Sequence, residues 1–125
     1  MIRLIMCIRR RSDIDSMEFR RSWVTPMRVL ADELALATGA NDVELSVLLS
    51  IPENAAFVDA RGLDRPYDAV VELSWEGGAQ VRGAGDRPEV KAVRAKIRTL
   101  NEHYVDAQHS CTFFADDVAA DEEEE

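Results

Sequence analysis

The sequence predicts an α+β domain: a four-stranded antiparallel sheet with two helices on one face, in the chain order β-α-β-β-α-β. The chain opens on a short, isoleucine-rich apolar run, IRLIMCIRR. Two later stretches, DVELSVLLSI and YDAVVELSW, alternate apolar and polar residues, the pattern of a strand with one buried face. Two others, SMEFRRSWVTPMRVLADELALATG and PEVKAVRAKIRTLNEHYVD, space their apolar residues by three and four, as an amphipathic helix does.

Residues 2–10 form the first strand, apolar on both sides, which suits burial on both faces. Asp15, three residues before Glu18, sets up a helix start much like a capping box. Phe19 and Trp23, four apart, face one side, and Arg20 and Arg21 face water. Pro26 interrupts this helix, because proline lacks an N–H and clashes with the preceding turn. Met27, Leu30, Ala31 and Leu34 then resume helical spacing, and Gly39 is placed to cap the end. Residues 42–51 form the second strand. Residues 52–66 show no period and read as a long loop, a length often tied to function or disorder. In the third strand, residues 67–75, alternation puts Tyr67, Ala69, Val71, Leu73 and Trp75 on one face and Asp68, Val70, Glu72 and Ser74 on the other. The segment EGGAQVRGAGDR reads as a loop with a short helical turn and holds no phosphate-binding fingerprint. Pro88 opens the second helix, with Val90, Val93, Ile97, Leu100 and Tyr104 as its apolar stripe. Residues 109–115 close the sheet.

This is the ferredoxin-like supersecondary order. Two helices cover one sheet face. The other face is also apolar and calls for a cover, and a second copy packed sheet to sheet is the economical solution.

The formal net charge is −9. Seven acidic residues crowd into DDVAADEEEE; without them the charge is −2. Residues 1–115 are therefore expected to fold as one domain, followed by an acidic, disordered tail over 116–125. The acidity argues against nucleic-acid binding, and Arg9 to Arg11 read as a solvated strand end. No run is long and apolar enough for a membrane span, and no secretory signal is visible, so a cytoplasmic location with reduced thiols is expected. Cys7 and Cys111, both in apolar strands, lack metal-ligand spacing and read as packing residues.

Glu72 lies mid-strand, where an unpaired buried carboxylate is costly. It either abstracts a proton next to a carbonyl or pairs with an arginine across a dimer. Asp68, two residues earlier on the same face, offers a possible partner carboxylate, although its place at the strand start favours solvation. His103 and His109 are general acid/base candidates, and two histidines without a third ligand make no metal site. Trp23 and Tyr104, on the inner faces of the helices, are candidate pocket walls; Tyr67 or Tyr104 is placed to orient a substrate carbonyl.

The segments MIRLIMCIRRR, DSMEFRRSW, YDAVVELSW and YVDAQHSCTFFADD, in this order and spacing, resemble the EthD-like family of the dimeric α/β-barrel superfamily. The resemblance implies a homodimer with a pocket in each subunit between the sheet and its helices, acting without metal or organic cofactor on small aromatic or polyketide-like molecules. In that family a His-Ala-Pro-like segment follows the tryptophan of the first helix. Here VTPM stands there, with Met27 at the histidine's place on an ungapped count and Asp106 matching a family aspartate. The resemblance thus implies proton-transfer chemistry, meaning dehydration, cyclisation or isomerisation. The missing histidine implies the alternative of a ligand-binding or accessory protein. Cofactor-free oxygenation is a third alternative.

Overall fold

The structure, a computed structural model, describes residues 1–61 and 65–118. Strands β1 (Ile2–Ile8), β2 (Asp42–Val47), β3 (Ala69–Trp75) and β4 (Cys111–Asp116) form one sheet in the order β2-β3-β1-β4. Every pairing in it is antiparallel. Helices α1 (Ser16–Phe19), α2 (Thr25–Thr38), α3 (Pro52–Arg61) and α4 (Pro88–Tyr104) complete the chain. This is the predicted ferredoxin-like sheet with one further helix, α3, between β2 and β3.

Register decides which side chains meet. Leu4 lies opposite Leu73 and Phe114, and Met6 opposite Val71 and Thr112. This face buries Met6, Ile8, Ala69, Val71, Leu73 and Trp75 against Phe19, Trp23, Met27, Ala31 and Leu34 and against Val90, Val93 and Ile97 of α4. Each of the larger side chains stabilises the fold by about 1.5–3 kcal/mol through burial. The opposite face carries Ile5, Cys7, Val70, Glu72 and Phe113, with Ile5 opposite both Glu72 and Phe113. β1 is therefore buried on its helix side and only half-buried on the other, because within one chain helices cover a single face.

The proline does not break the first helix. Arg20–Val24 form a π-helical turn between α1 and α2, entered and left with helical dihedrals at Phe19, Arg20, Val24 and Thr25. The Thr25 N–H bonds to the Arg20 carbonyl, five residues back. The wider turn makes room for the Pro26 ring, which in an α-helix would strike the carbonyl four residues earlier. Asp15 caps α1 as predicted, its carboxylate accepting the Glu18 N–H at 2.8 Å. Gly39 ends α2 in the left-handed region, φ 72°.

The long loop expected over 52–66 is instead helical from Pro52 to Arg61. Its first turn has Pro52 and Glu53, both favourable there, and alanines follow. The helix is set by propensity: Phe57 is exposed, and none of residues 52–57 joins the core. The glycine-rich segment is a loop with a short 3-10 turn at Ala84–Asp86, as expected, entered through Gly83 at φ 75°. The acidic tail begins later than predicted. Asp116 ends β4, and Asp117 accepts from Arg3 Nε at 2.9 Å. Residues 119–125 lie outside the described residues.

Candidate active site

Between α4 and the helix-side face of β1 and β4 lies a cavity of about 920 Å³. It exists because α4 packs on α2 and on the 3-10 turn before it and leaves the sheet under β4 uncovered. Leu4, Met6, Thr112 and Phe114 line it from the strands, and Leu34, Val90 and Ile97 from the helices. Trp75 stands at the far wall, its Nε1 donating to the Thr38 carbonyl at 3.2 Å and its ring 6.4 Å from that of Phe114. The glycine-rich loop supplies a rim of Val81, Ala84 and Gly85. Polar groups converge on these apolar walls: Thr38, Asn101, Glu102 and Thr112, with Arg94 and Arg98. Both size and composition suit a small organic ligand, whose sites span about 300–1,000 Å³.

None of the eight residues singled out in the sequence lines this cavity. Trp23 comes closest. It is fully buried, stacked on Phe19 at 4.8 Å, and its Nε1 donates to Asn101 Oδ1 at 2.9 Å. It thus positions a lining residue without being one. Met27 is 1 % exposed and belongs to the core, four residues after Trp23 on the same side of the helix. Tyr104 is half-buried and its carbonyl accepts the Arg11 N–H at 2.9 Å. His103 is exposed, its Nδ1 2.9 Å from the Thr99 carbonyl.

His109 and Asp106 form an exposed pair outside the cavity, Nδ1 to Oδ2 2.7 Å. The hydrogen bond from His109 holds the Asp106 carboxyl below its ordinary value. A depressed folded value means the pair supports the folded state above the unfolded pKa and ceases to do so as pH falls through the folded one. His109→Ala is expected to raise the Asp106 titration midpoint toward the usual carboxylate range in an NMR titration. An unmoved midpoint would show that backbone N–H groups hold the carboxylate.

Of the other three candidates, Glu72 and Tyr67 belong to the open sheet side and Asp68 to the bend ahead of β3. Glu72 sits between Ile5 and Glu44 in register, not over the cavity. Tyr67 departs from the predicted alternation. Its hydroxyl lies 3.5 Å from Cys111 Sγ, and the Arg9 guanidinium sits 4.7 Å above its ring. Cys111 pairs with Cys7 on the open face, so Tyr67 is there too. The hydrogen bond to Cys111 pushes the Tyr67 phenol up, and burial pushes the Cys7 thiol up. Alternation fails because Asp68 forms a bend ahead of β3. Asp68 is not solvated: it is 8 % exposed, accepts the Arg10 N–H at 2.9 Å and lies 3.2 Å from Arg10 Nε. Arg9 and Arg10 are accordingly held against the body, and only Arg11 fits the solvated strand end expected of all three.

The cavity residues that the sequence reading passed over lie mostly on α4. Arg94, Arg98, Asn101, Glu102 and Val105 recur at three- and four-residue spacing beside the apolar stripe. That spacing is visible in the sequence, but a polar stripe next to an apolar one is the ordinary signature of a solvated helix flank. Only the gap under β4 makes it a wall. Among the described residues, no group of three or more His, Cys, Asp or Glu side chains is placed to hold a metal ion, and no helix is long and apolar enough to cross a membrane.

No protein-family model and no curated protein sequence matches the chain. Solved structures do match in fold. A crystal structure of an ethyl tert-butyl ether D (EthD) family protein from Bacillus halodurans C-125 superimposes with a TM-score of 0.63 at 14 % identity, covering 94 % of this chain and 99 % of that one. A protein from Arabidopsis thaliana gives 0.61 at 9 % identity, covering 96 % and 98 %. A dimeric ferredoxin-like protein of unknown function from Thermobifida fusca YX gives 0.56 at 15 % identity, covering 91 % and 88 %. The fold is thus that of EthD-like and dimeric ferredoxin-like proteins over nearly the whole chain, as the sequence resemblance implied.

Proposed function

We propose that this chain binds an apolar, oxygen-bearing small molecule, aromatic or polyketide-like, in the cavity under β4, and that it does so as a homodimer. The observation that carries the reading is the cavity itself: apolar walls with Thr38, Asn101 and Thr112 facing the same space. The test is a thermal-shift screen against hydroxylated aromatics, quinones and lactones, followed by mass spectrometry of each binder. Thr112→Trp, which fills the cavity floor from an exposed edge strand, is expected to abolish binding with the fold retained by circular dichroism. Binding unchanged in that variant would place the ligand elsewhere.

A second reading is favoured by Glu102, the one carboxylate among the described residues that line the cavity. It would move a proton on the bound molecule with Asn101 polarising a carbonyl, giving dehydration, cyclisation or isomerisation without metal or organic cofactor. Loss of one water, or an isomer of unchanged mass with a new retention time, would mark turnover. Addition of one oxygen would mark oxygenation instead. An unaltered ligand supports the binding role, which the absence of both histidines from the cavity lining also favours.

The open sheet face supports the homodimer. Ile5, Cys7, Val70 and Phe113 form an apolar strip across three strands, and Phe113 is 46 % exposed in the single chain. The Thermobifida fusca neighbour is described as dimeric. In this reading Glu72 and Tyr67 belong to the interface between copies. Phe113→Asp is expected to convert a dimer to a monomer by light scattering; a wild-type protein that is monomeric at micromolar concentration would sink the proposal.

A further inference from the structure

The cavity has a basic mouth. Arg94 and Arg98, one turn apart on α4, line both the apolar cavity and a polar hollow of about 420 Å³ beside it. The hollow shares Gly85 with the cavity and adds Asp86 and Lys91. Lys91, Arg94 and Arg98 are spaced by three and four and so lie along one helix face. Among the described residues none of the three makes an ion pair, whereas Arg3, Arg10, Arg11, Arg21 and Arg28 each have a carboxylate partner. Arg94 lies close against the loop at Gly85: a Cβ there would stand 3.2 Å from its Nη1. Two carboxylates belong to the same surroundings, Asp86 in the hollow and Glu102 on the cavity wall, and neither comes within ion-pair distance of a guanidinium. Three cations against two anions leave this mouth positive in a chain of net charge −9.

A neutral ligand has no use for two unpaired guanidinium groups where an apolar cavity opens. A planar carboxylate does, because the fork of an arginine matches it with two parallel hydrogen bonds. The adjoining apolar wall lowers the local dielectric and strengthens the attraction. We infer that the ligand of this cavity is an amphiphilic carboxylate, its apolar body under β4 against Phe114 and Trp75 and its carboxylate between Arg94 and Arg98. This deepens the proposal above and rests on the cavity being a binding site. Lys91 adds to the attracting field from the next turn, and Glu102, one turn beyond Arg98, bounds the anion site on its other side.

The test is calorimetric titration of the full chain with matched pairs, 2-naphthoic acid against 2-naphthalenemethanol and decanoic acid against decanol. For at least one pair the acid is expected to bind about tenfold or more tightly than the alcohol, as a hydrogen bond to a charged group implies. Raising the salt concentration is expected to narrow that gap. The variant Arg94→Gln/Arg98→Gln is expected to erase the preference for acid over alcohol. Equal affinities for acid and alcohol in the wild type would overturn the carboxylate and leave the cavity reading standing. A preference that survives in the double variant would overturn these two residues as the anchor. If no probe binds to protein that is folded by circular dichroism, or if the acid still binds the Thr112→Trp variant, the cavity reading falls and this inference with it.

Discussion

Trp23→Ala is expected to lower the unfolding free energy by about 3–5 kcal/mol, the range for removing a large buried aromatic. Trp23 is 0 % exposed. Its ring stacks on Phe19 with planes 10° apart, and its Nε1 donates to Asn101 across the interface between the first helical arm and α4. Alanine would leave a void at the centre of the core and an amide oxygen without its donor. Trp23→Phe separates the two effects. It keeps a six-membered ring against Phe19 and loses the hydrogen bond with a smaller part of the packing, so its cost should fall below that of Trp23→Ala, at about 1–3 kcal/mol. Urea titrations of both variants measure the difference. Because Asn101 lines the cavity, Trp23→Phe should also weaken ligand binding by more than its stability loss explains. A Trp23→Ala protein as stable as the parent would mean that the π-helical turn is not docked on the core.

Asp68→Ala is expected to be the next most damaging change, at about 2–4 kcal/mol. The carboxylate accepts the Arg10 N–H and lies beside the Arg10 guanidinium, with side chains 11 % and 24 % exposed. Removing one member of a buried pair leaves the other without compensation and typically costs 3–5 kcal/mol, roughly speaking. Arg10 keeps some water, which places this pair toward the lower end. Asp68→Asn retains an acceptor for the Arg10 N–H and should cost clearly less. Equal denaturation midpoints for the two variants would assign the whole effect to the charge and none to that N–H.

Trp23 stood out in the sequence as a candidate pocket wall and Asp68 as a possible partner carboxylate for Glu72; in the structure Trp23 is core and Asp68 pairs with Arg10. Strand and helix positions were legible because period two and period 3.6 are written directly in residues such as Val43, Leu45 and Val47 or Val90, Val93 and Ile97. Their side-chain partners were not, because alternation assumes an unbroken strand, and one bend at Asp68 was enough to send Tyr67 to the other face. The helix at Pro52–Arg61 escaped notice because it has no apolar stripe to read. The cavity was illegible for a different reason. It is a property of where α4 lies relative to β4, two elements whose distance no local pattern encodes. Arg94 and Arg98 look like any solvated helix flank until that distance is known.

The π-helical turn at Arg20–Val24 has a consequence for helical phase. In an α-helix each residue turns by about 100°, so Phe19 and Met27, eight apart, would diverge by about 80°. A π turn absorbs one extra residue, and the effective separation of seven brings them within about 20° of alignment. Both are buried, at 2 % and 1 % exposure, as that alignment requires. The arm therefore contains one residue more than its core contacts need. A chain lacking the exposed Arg21 should form a regular α-helix from Ser16 onward with Phe19 and Met27 still facing inward. The turn is then an accommodated insertion, and Pro26, which tolerates the wide turn and penalises the tight one, keeps it from migrating along the helix.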